Sequence, residues 1–326
     1  MAVLVGIDEA GYGPLLGPLV VSSVAFSVPA ELVKSDLWRV LKPAVGKRKS
    51  KLGGRLLVTD SKKAYSRSAG IGHLRRTVLA HLYSLEKGLK GSDVTAGELL
   101  KVLCESCVER LREYPWYEGL SNKKLGGNGE DIEIACSALK RACSAGGVKL
   151  LNMSSRCLDV GYYNKMVTAV RNKASVLFTA VSELIKDSFD AYGGANSEPL
   201  QIIIDRQGGR INYRNALQRM FERMELKVIR QDNKVSSYEL TETGRRMRLH
   251  FVTAADRKYL TVSLASMTSK FLREILVDSM NSYFLQRCSG LRPTAGYWKD
   301  GQRFIKELKD NLGDTEYDSQ KLIRCR

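Results

Sequence analysis

Four acidic residues follow apolar runs that have the character of buried strands. Asp8 and Glu9 end the run "MAVLVGI", Asp205 ends "LQIII", and Asp256 comes after "RMRLHFVTAA". Because ligands and catalysts gather at the carboxyl ends of strands in open α/β sheets, we expect these four carboxylates to converge. Grouped carboxylates repel one another unless they are protonated or bind cations, and an all-oxygen set suits Mg²⁺ or Mn²⁺ better than zinc.

The chemistry expected of such a site is two-metal hydrolysis of a phosphodiester. One ion would activate a water, and a second ion roughly 3.5 to 4 Å away would stabilise the leaving oxygen. Aspartate is also a common turn residue at strand ends, so each of the two later acids, taken alone, has an ordinary structural alternative. Their agreement with the first pair favours catalysis.

The first two acids are neighbours on one strand, so their side chains should point to opposite faces of the sheet. Both side chains can serve one site only if the chain leaves regular strand geometry between these acids and the turn that follows them. Gly11, Gly13 and Pro14 follow directly and would allow that departure.

The elements that would position these acids alternate between strands and helices. "MAVLVGID" and "PLVVSSVAFSV" are typical of a hairpin at the centre of a sheet, and "LQIIID" of a buried strand. Residues 161–189 and the segment "TVSLASMTSKFLREILVDSMNSYF" have helical periodicity. We therefore expect an α/β fold with a mixed central sheet flanked by helices.

The overall charge points to an anionic partner. The 326 residues carry 52 Lys and Arg against 35 Asp and Glu, a net charge of +17, which favours nucleic acid or a membrane surface. No apolar run is long enough to span a membrane, and the amino terminus lacks the features of a signal peptide. We expect a soluble, cytoplasmic monomer.

One loop concentrates positive charge. The segment "LKPAVGKRKSKLGGR" contains Lys42, Lys47, Arg48, Lys49, Lys51 and Arg55. These side chains either contact phosphates or form an ordinary solvated surface, and the sequence favours neither interpretation.

Seven cysteines, an odd number in a chain of this length, do not indicate a disulfide framework. The motif "CESC" at residues 104–107 places both thiols on the apolar stripe of a helix. Buried thiols are favoured over a zinc site because no second CxxC follows.

Five blocks of the sequence resemble type 2 ribonucleases H, the bacterial ribonuclease HII group. "GIDEAGYGPLLGPLV" is similar to the opening DEAGRGP-x-x-GP motif of that family, and "TDSKKAYS" resembles its DSKKL segment. "QIIIDR" resembles the strand with the third acid, and "AADRKYLTVSLASMTSKFLRE" the stretch with the fourth acid and its helix. "GYWKDGQRFIKEL" is similar to the GY-x-T segment, and all five blocks keep the order of the family.

The resemblance implies a ribonuclease H-like fold and a metal-dependent endonuclease. Such an enzyme cuts RNA in RNA/DNA hybrids or at ribonucleotides embedded in duplex DNA, and the four acids would bind two Mg²⁺ or Mn²⁺ ions. The substrate-binding positions implied by the match are Gly11, Tyr12, Gly13, Ser61, Lys62, Ser266, Lys270 and Tyr297. Among them, Lys62 and Lys270 match basic positions near the substrate phosphates, and Tyr297 matches a tyrosine that senses the ribose.

Helical spacing after the fourth acid indicates one polar face and one apolar face. The polar face contains Ser263, Ser266, Lys270 and Arg273, and the apolar face contains Ala265, Leu272, Ile275 and Leu276. We expect the polar face to look toward phosphates and the apolar face toward the core.

The sequence also departs from the family pattern. Tyr12 stands where the family has an arginine, so a neutral hydroxyl and a stacking ring replace a charged fork, and selection for a DNA–RNA junction is put in doubt. Residues 88–160 are interpreted as an inserted, mainly helical subdomain of a single domain. The connection between Asp205 and Asp256 is also long, with an extended part at about 206–247, and it is expected to hold its own helix and an extra hairpin around "SSYELTETGRRMRLHF".

Two other functions are compatible with the sequence. A binding protein on the same fold would hold hybrid or structured RNA with its positive surface without cutting it. A ribonuclease H-like nuclease acting on DNA junctions is the second, because a fold alone does not choose a substrate.

Overall fold

A seven-stranded mixed sheet forms the centre of the protein. The computed structural model describes residues 1–66, 70–86, 88–89, 91, 93–194, 200–312 and 317–325. The strands in chain order are β1 (Ala2–Ala10), β2 (Leu19–Val28), β3 (Val45–Gly46), β4 (Leu56–Leu57), β5 (Lys149–Leu158), β6 (Leu200–Asp205), β7 (Glu225–Gln231), β8 (Val235–Glu242) and β9 (Arg245–Val252). In space the central sheet has the order β5-β2-β1-β6-β9-β8-β7, while β3 and β4 pair separately.

Three neighbouring strands at the centre of the sheet are parallel. β1 pairs with β6, β6 pairs with β9, and every other neighbouring pair of the central sheet is antiparallel. The register places Ile7 beside Ile204 and Asp205 beside Val252. The carboxyl ends of β1, β6 and β9 therefore meet at one edge of the sheet, as the sequence predicted.

Helices cover both faces of this sheet. They are α1 (Leu37–Val40), α2 (Ser61–Ala64), α3 (Gly72–Ser84), α4 (Ala96–Arg112), α5 (Gly129–Ala145), α6 (Val160–Val170), α7 (Lys173–Tyr192), α8 (Arg214–Met220), α9 (Leu260–Arg287), α10 (Trp298–Leu312) and α11 (Ser319–Leu322). One apolar core joins the sheet to α3, α4, α5 and α9, and a second joins the opposite face to α6 and α7. The predicted mixed sheet flanked by helices is confirmed.

The predicted helical stretch at 161–189 is two helices rather than one. α6 ends at Val170 and is followed by Arg171, whose φ of 50° lies in the left-handed region. Asn172 then caps α7 by accepting a hydrogen bond from the Ser175 amide at 3.1 Å. An asparagine side chain competes for backbone donors, so it favours a helix start over a helix interior. The apolar periodicity alone does not reveal this break.

The segment interpreted as an insertion supplies part of the central sheet. Its helices α4 and α5 pack into the same core as α9, and its last ten residues form β5, which pairs with β2. The division of the chain into one domain with a subdomain stays a prediction. The extra hairpin is present as β8 and β9, joined by Thr243 and Gly244, both with positive φ.

Both thiols of the "CESC" motif are buried, as expected. The helix is kinked at Cys104, and the Sγ of Cys107 donates to the Cys104 carbonyl oxygen at 3.0 Å. Among the helices of the described ranges, none has the length and apolar character that crossing a membrane requires.

Candidate active site

Asp8 and Glu9 both lie within β1 rather than beyond it. β1 keeps its regular pairing with β2 to Ala10, and the chain leaves strand geometry just after the two acids, at Gly11, whose φ is 91°. Asp8 is 7% exposed, and its Oδ1 accepts a hydrogen bond from the Glu9 amide at 2.7 Å. Ser269 on α9 donates to the Asp8 carbonyl oxygen at 3.0 Å, which fixes the end of the strand against the helix.

Asp205 and Asp256 are joined through the turn between β9 and α9. The Oδ1 of Asp205 accepts a hydrogen bond from the Ala255 amide at 2.6 Å, directly before Asp256. Ala254, with φ 52°, turns the chain there, and Ser263 donates to the Asp256 carbonyl oxygen. The third acid thus holds the turn that carries the fourth.

Burial and neighbouring carboxyl groups raise the pKa of all four acids at this sheet edge. Burial raises the pKa of Asp8 well above its usual range, and Glu9 and Asp205 raise it further. Burial and then Asp205 raise the pKa of Glu9 to about 7. Burial and then Asp256 raise that of Asp205 to about 6, and burial also raises the pKa of Asp256.

Lys62 provides the opposing charge. Its ammonium group lowers the pKa of Glu9, Asp205 and Asp256 against the larger effects that raise them. Lys62 and Ser61 open α2, and Ser266 of α9 donates to the Ser61 hydroxyl at 3.1 Å. A hydrogen bond from Ser266 also lowers the pKa of Asp8. The "TDSKK" segment therefore lies beside the acids.

A fifth acid, Asp60, was missed by the sequence analysis. It is 8% exposed, caps α2 by accepting from the Lys62 amide at 2.9 Å, and raises the pKa of Asp256. Arg257 lies 3.7 Å from its Oδ2. The helix-capping pattern of Asp followed by Ser and Lys was visible in the sequence, but its closeness to Asp256 depends on the fold.

The expectation that one polar face of α9 looks toward phosphates is wrong for three of its four residues. Ser263, Ser266 and Arg273 are buried, since α9 packs against β1 and β2 on one side and against other helices on the other. Lys270 is partly buried, 2.5 Å from the Glu274 carboxylate and 4.7 Å from the centre of the Tyr65 ring. Spacing in sequence gives a face of the helix but not what covers it.

Two buried arginines hold the turn after β1. Arg273, which is 1% exposed, donates to the carbonyl oxygens of Leu16 at 3.3 Å and Ala295 at 2.9 Å. Arg324 donates to the carbonyl oxygens of Gly17, at 2.8 Å, and Gly11. The sequence analysis missed both roles, because a single arginine in an ordinary polar segment gives no signal of burial.

The turn and the segment before α10 are joined by backbone hydrogen bonds. The amides of Leu15 and Leu16 donate to the Gly296 carbonyl oxygen at 2.7 and 3.1 Å. Tyr12 and Tyr297, at 38% and 50% exposure, therefore lie on connected surface segments. Gly11 has φ 91°, and a Cβ there would lie 2.6 Å from the Pro18 carbonyl oxygen, so this position requires glycine.

The donor atoms of the acid cluster fit hard divalent cations. Across the ranges that the structure describes, no group of three or more His, Cys, Asp or Glu side chains is arranged to hold a metal ion. Each of the four acids nevertheless has its pKa raised by burial and by a neighbouring carboxyl group, and all their donor atoms are carboxylate oxygens, the ligands that Mg²⁺ and Mn²⁺ prefer. A bound cation would offset the repulsion between these carboxylates.

No protein-family model matches the sequence, and no curated protein matches it. Several solved structures do. The chain is similar to RNase HII from Archaeoglobus fulgidus, solved in a complex with PCNA. The identity is 17% and the TM-score 0.47, with 99% of this chain and 94% of that chain covered.

Two further similar structures are ribonuclease H2 from Pyrococcus horikoshii OT3 and Bst-RNase HIII in complex with Mn²⁺. The first is 14% identical with a TM-score of 0.43, covering 99% of this chain and 92% of the other. The second is 14% identical with a TM-score of 0.45, covering 99% of this chain but only 66% of the other. At such identities the activity of this chain has to follow from its own residues.

Proposed function

We propose that this protein is a metal-dependent endonuclease that hydrolyses RNA in RNA/DNA hybrids or at ribonucleotides embedded in duplex DNA. The observation that carries the proposal is the acid cluster. Asp8, Glu9, Asp205 and Asp256 come from the ends of three parallel strands, and their pKa values are raised together. Raised pKa values in such a cluster are typical of functional sites.

The roles of the acids follow from their donor atoms and neighbours. The four carboxylates would hold Mg²⁺ or Mn²⁺, which when bound would activate water and stabilise the leaving oxygen of a phosphodiester. A hydrogen bond from Ser266 favours the charged form of Asp8, and the charge of Lys62 favours the charged forms of the other acids, against the larger effect of burial. Lys62 is exposed and would also contact a substrate phosphate.

The turn after β1 would recognise the sugar. Discrimination of RNA from DNA requires a contact to the 2′-hydroxyl, which closely approaching backbone amides and a phenol can provide. Gly11 and Gly13 leave the backbone without side chains, while Tyr12 and Tyr297 present exposed phenol rings on connected segments. Tyr12 supplies a neutral hydroxyl and a stacking ring at the position where the family has an arginine, whose charged guanidinium fork would bind phosphate.

A panel of four substrates tests the proposal. We expect cleavage of a duplex with one embedded ribonucleotide or of a continuous RNA/DNA hybrid, with Mg²⁺ or Mn²⁺, and none after chelation. Plain DNA duplex and a four-way DNA junction are the controls. Binding without cleavage in either metal would identify a non-cleaving binder, and preferential cutting of the junction would contradict the choice of substrate.

Arg324 is expected to be a positioning residue for this activity. Arg324→Met removes the donors to the Gly11 and Gly17 carbonyl oxygens, and leaving the buried Gly17 carbonyl oxygen unpaired costs about 1–3 kcal/mol. Burial and then the charge of Arg273 lower the pKa of Arg324 to about 9, so the charged guanidinium is disfavoured at this position. Removing that charge offsets part of the cost of the lost hydrogen bonds. We therefore expect a larger effect on the turn than on overall stability.

The measurement is the steady-state kinetics of cleavage. Arg324→Met should raise KM about tenfold, corresponding to roughly 1.4 kcal/mol, with a smaller change in kcat. Arg324→Lys keeps the charge but lacks the fork that reaches two carbonyl oxygens, so it should show an intermediate effect. Unchanged KM in both variants, with normal melting temperatures, would show that the turn does not depend on Arg324.

A further inference from the structure

A group of four cations projects from a loop beside the acid cluster. Lys47, Arg48, Lys49 and Lys51, here called the basic loop, are all exposed. The Nζ of Lys47 donates to the Arg257 carbonyl oxygen at 2.6 Å, one residue after Asp256. The loop is therefore attached to the turn that carries one of the proposed catalytic acids.

The loop is held by its own framework. β3 and β4 pair across its base, and Trp38 lies beneath it, with its indole donating to the Val58 carbonyl oxygen at 2.8 Å. Lys47 stacks over the Trp38 ring at 4.1 Å. The Arg55 guanidinium donates to the carbonyl oxygens of Leu52 at 2.7 Å and of Lys51. These contacts are made by Trp38, Lys47 and Arg55, and none of them uses the side chains of Arg48, Lys49 or Lys51.

The cations of the basic loop are not neutralised by neighbouring acids. Within the described ranges, none of its four cations lies within ion-pair distance of a carboxylate. Other surface lysines and arginines are paired, as in Arg76 with Asp131, Lys123 with Asp278 and Arg156 with Glu183. After burial, the charge of Lys49 is the next cause of the lowered pKa of His73 on α3. The positive charge of the loop therefore acts as far as the start of α3.

We propose that the basic loop binds the phosphate backbone of the nucleic-acid duplex next to the cleavage site. The inference rests on the proposed function and extends it by naming where the flanking duplex lies. Unpaired exposed cations attract polyanions at distances of about 10 Å or less at physiological salt. Because Lys47 attaches the loop to residue 257, a duplex bound by the loop would continue directly toward the acid cluster. Phosphate contacts carry no sequence information, so the loop would position the duplex rather than select a base.

The test uses two matched triple variants. Arg48→Gln/Lys49→Gln/Lys51→Gln removes three cations of the loop and leaves Lys47, which holds it in place. Lys34→Gln/Lys140→Gln/Arg141→Gln removes the same number and kinds of charge near the end of β2 and the start of β5, at the opposite edge of the sheet. All six residues are exposed, and in the part of the chain that the structure describes none of them forms an ion pair.

Duplex affinity is measured as a function of salt in an Asp8→Asn background, so that the substrate is not cut. Each lost phosphate contact reduces the slope of log Kd against log salt by about 0.9, so the loop variant should lose about 2 to 3 from this slope. At about 0.15 M salt its Kd should rise about tenfold or more, equally for hybrid and all-DNA duplex. The control variant should change the slope by less than about 1.

Several outcomes would overturn the inference. Equal loss of affinity in the two triple variants would show a general effect of net charge, and unchanged affinity in the loop variant would remove the contact altogether. Vesicles of phosphatidylserine and phosphatidylcholine are a further arm, and loop-dependent binding to these vesicles without loop-dependent binding to duplex would assign the loop to membranes. Cleavage by the chain with Asp8 intact is measured separately. Loop-dependent binding without any cleavage would contradict the proposed function and leave the inference supported.

Discussion

Replacement of Asp8 by asparagine is expected to abolish metal-dependent cleavage and to stabilise the metal-free protein at the same time. Loss of a metal ligand should lower kcat/KM by about 10³-fold or more, equivalent to roughly 4 kcal/mol of transition-state stabilisation. Binding of the duplex should change little, because the basic surface is intact. Asp205→Asn should behave in the same way, since its carboxylate belongs to the same cluster.

The gain in stability follows from the direction of the pKa shifts. A carboxyl group whose pKa is higher in the folded than in the unfolded protein binds its proton more tightly when folded, so stability falls as the pH rises through that interval. For Glu9 the interval runs from 4.5 to about 7. The full penalty, on the order of 3 kcal/mol, is then present at pH 8. The pKa of Asp8 is shifted in the same direction, so this residue adds to the penalty.

The measurement is thermal unfolding in chelator at pH 5 and pH 8. Asp8→Asn and Glu9→Gln should melt several degrees above the wild type at pH 8 and closer to it at pH 5, because the asparagine and glutamine side chains do not titrate. Asp310→Asn, an exposed acid on α10, is the matched control and should change neither property. Normal turnover in Asp8→Asn would show that the acid cluster is not catalytic, and a lower melting temperature at pH 8 would contradict the raised pKa.

Added Mg²⁺ should change the melting temperatures of the wild type and of Asp8→Asn differently. A ligand that binds only the folded state stabilises it in proportion to the logarithm of its concentration over Kd. Wild type should therefore gain melting temperature with Mg²⁺, and Asp8→Asn should gain much less. Equal gains would place the cation elsewhere.

The position of the acids could be predicted from the sequence because it depends on local features. Each acid follows an apolar run, and parallel strands bring their carboxyl ends to one edge. The same reasoning gave the central hairpin and the buried thiols of "CESC". These predictions need no knowledge of how distant segments pack.

The support for the site could not be predicted because it is tertiary. Arg324 reaches the carbonyl oxygen of Gly11, more than three hundred residues earlier in the chain, and nothing in its own segment signals burial. The helical pattern of α9 predicted a polar face for Arg273, but packing on both sides of the helix buries it. Asp60 lies near Asp256 only after α2 is placed beside the sheet. Helical spacing gave the direction of the Arg273 side chain but not its surroundings, and gave no signal for Arg324 or for the position of Asp60.

Gly6→Ala adds a single methyl group, and we expect it to destabilise the site region more than any other such addition there. A Cβ at this position would lie 2.2 Å from the carbonyl carbon of Thr261 and 2.3 Å from the amide nitrogen of Val262. Both are backbone atoms of α9, so the collision cannot be relieved by a side-chain rotation. The helix would have to move away from β1, at a cost of about 3 kcal/mol or more.

This displacement should reduce cleavage although no proposed catalytic group is removed. α9 carries Ser269, which fixes the end of β1, and Ser266, whose hydrogen bond favours the charged form of Asp8. A helix shifted from β1 would loosen both contacts, and a misplacement of about 1 Å can cost about 10²-fold in rate.

We expect the melting temperature of Gly6→Ala to fall by about 5 °C or more. Gly209→Ala, where a Cβ meets no atom within 4 Å, is the control and should melt close to the wild type. A Gly6→Ala protein with normal melting temperature and normal cleavage would show that α9 does not lie on β1 as closely as described, and the support assigned to Ser266 and Ser269 would fail with it.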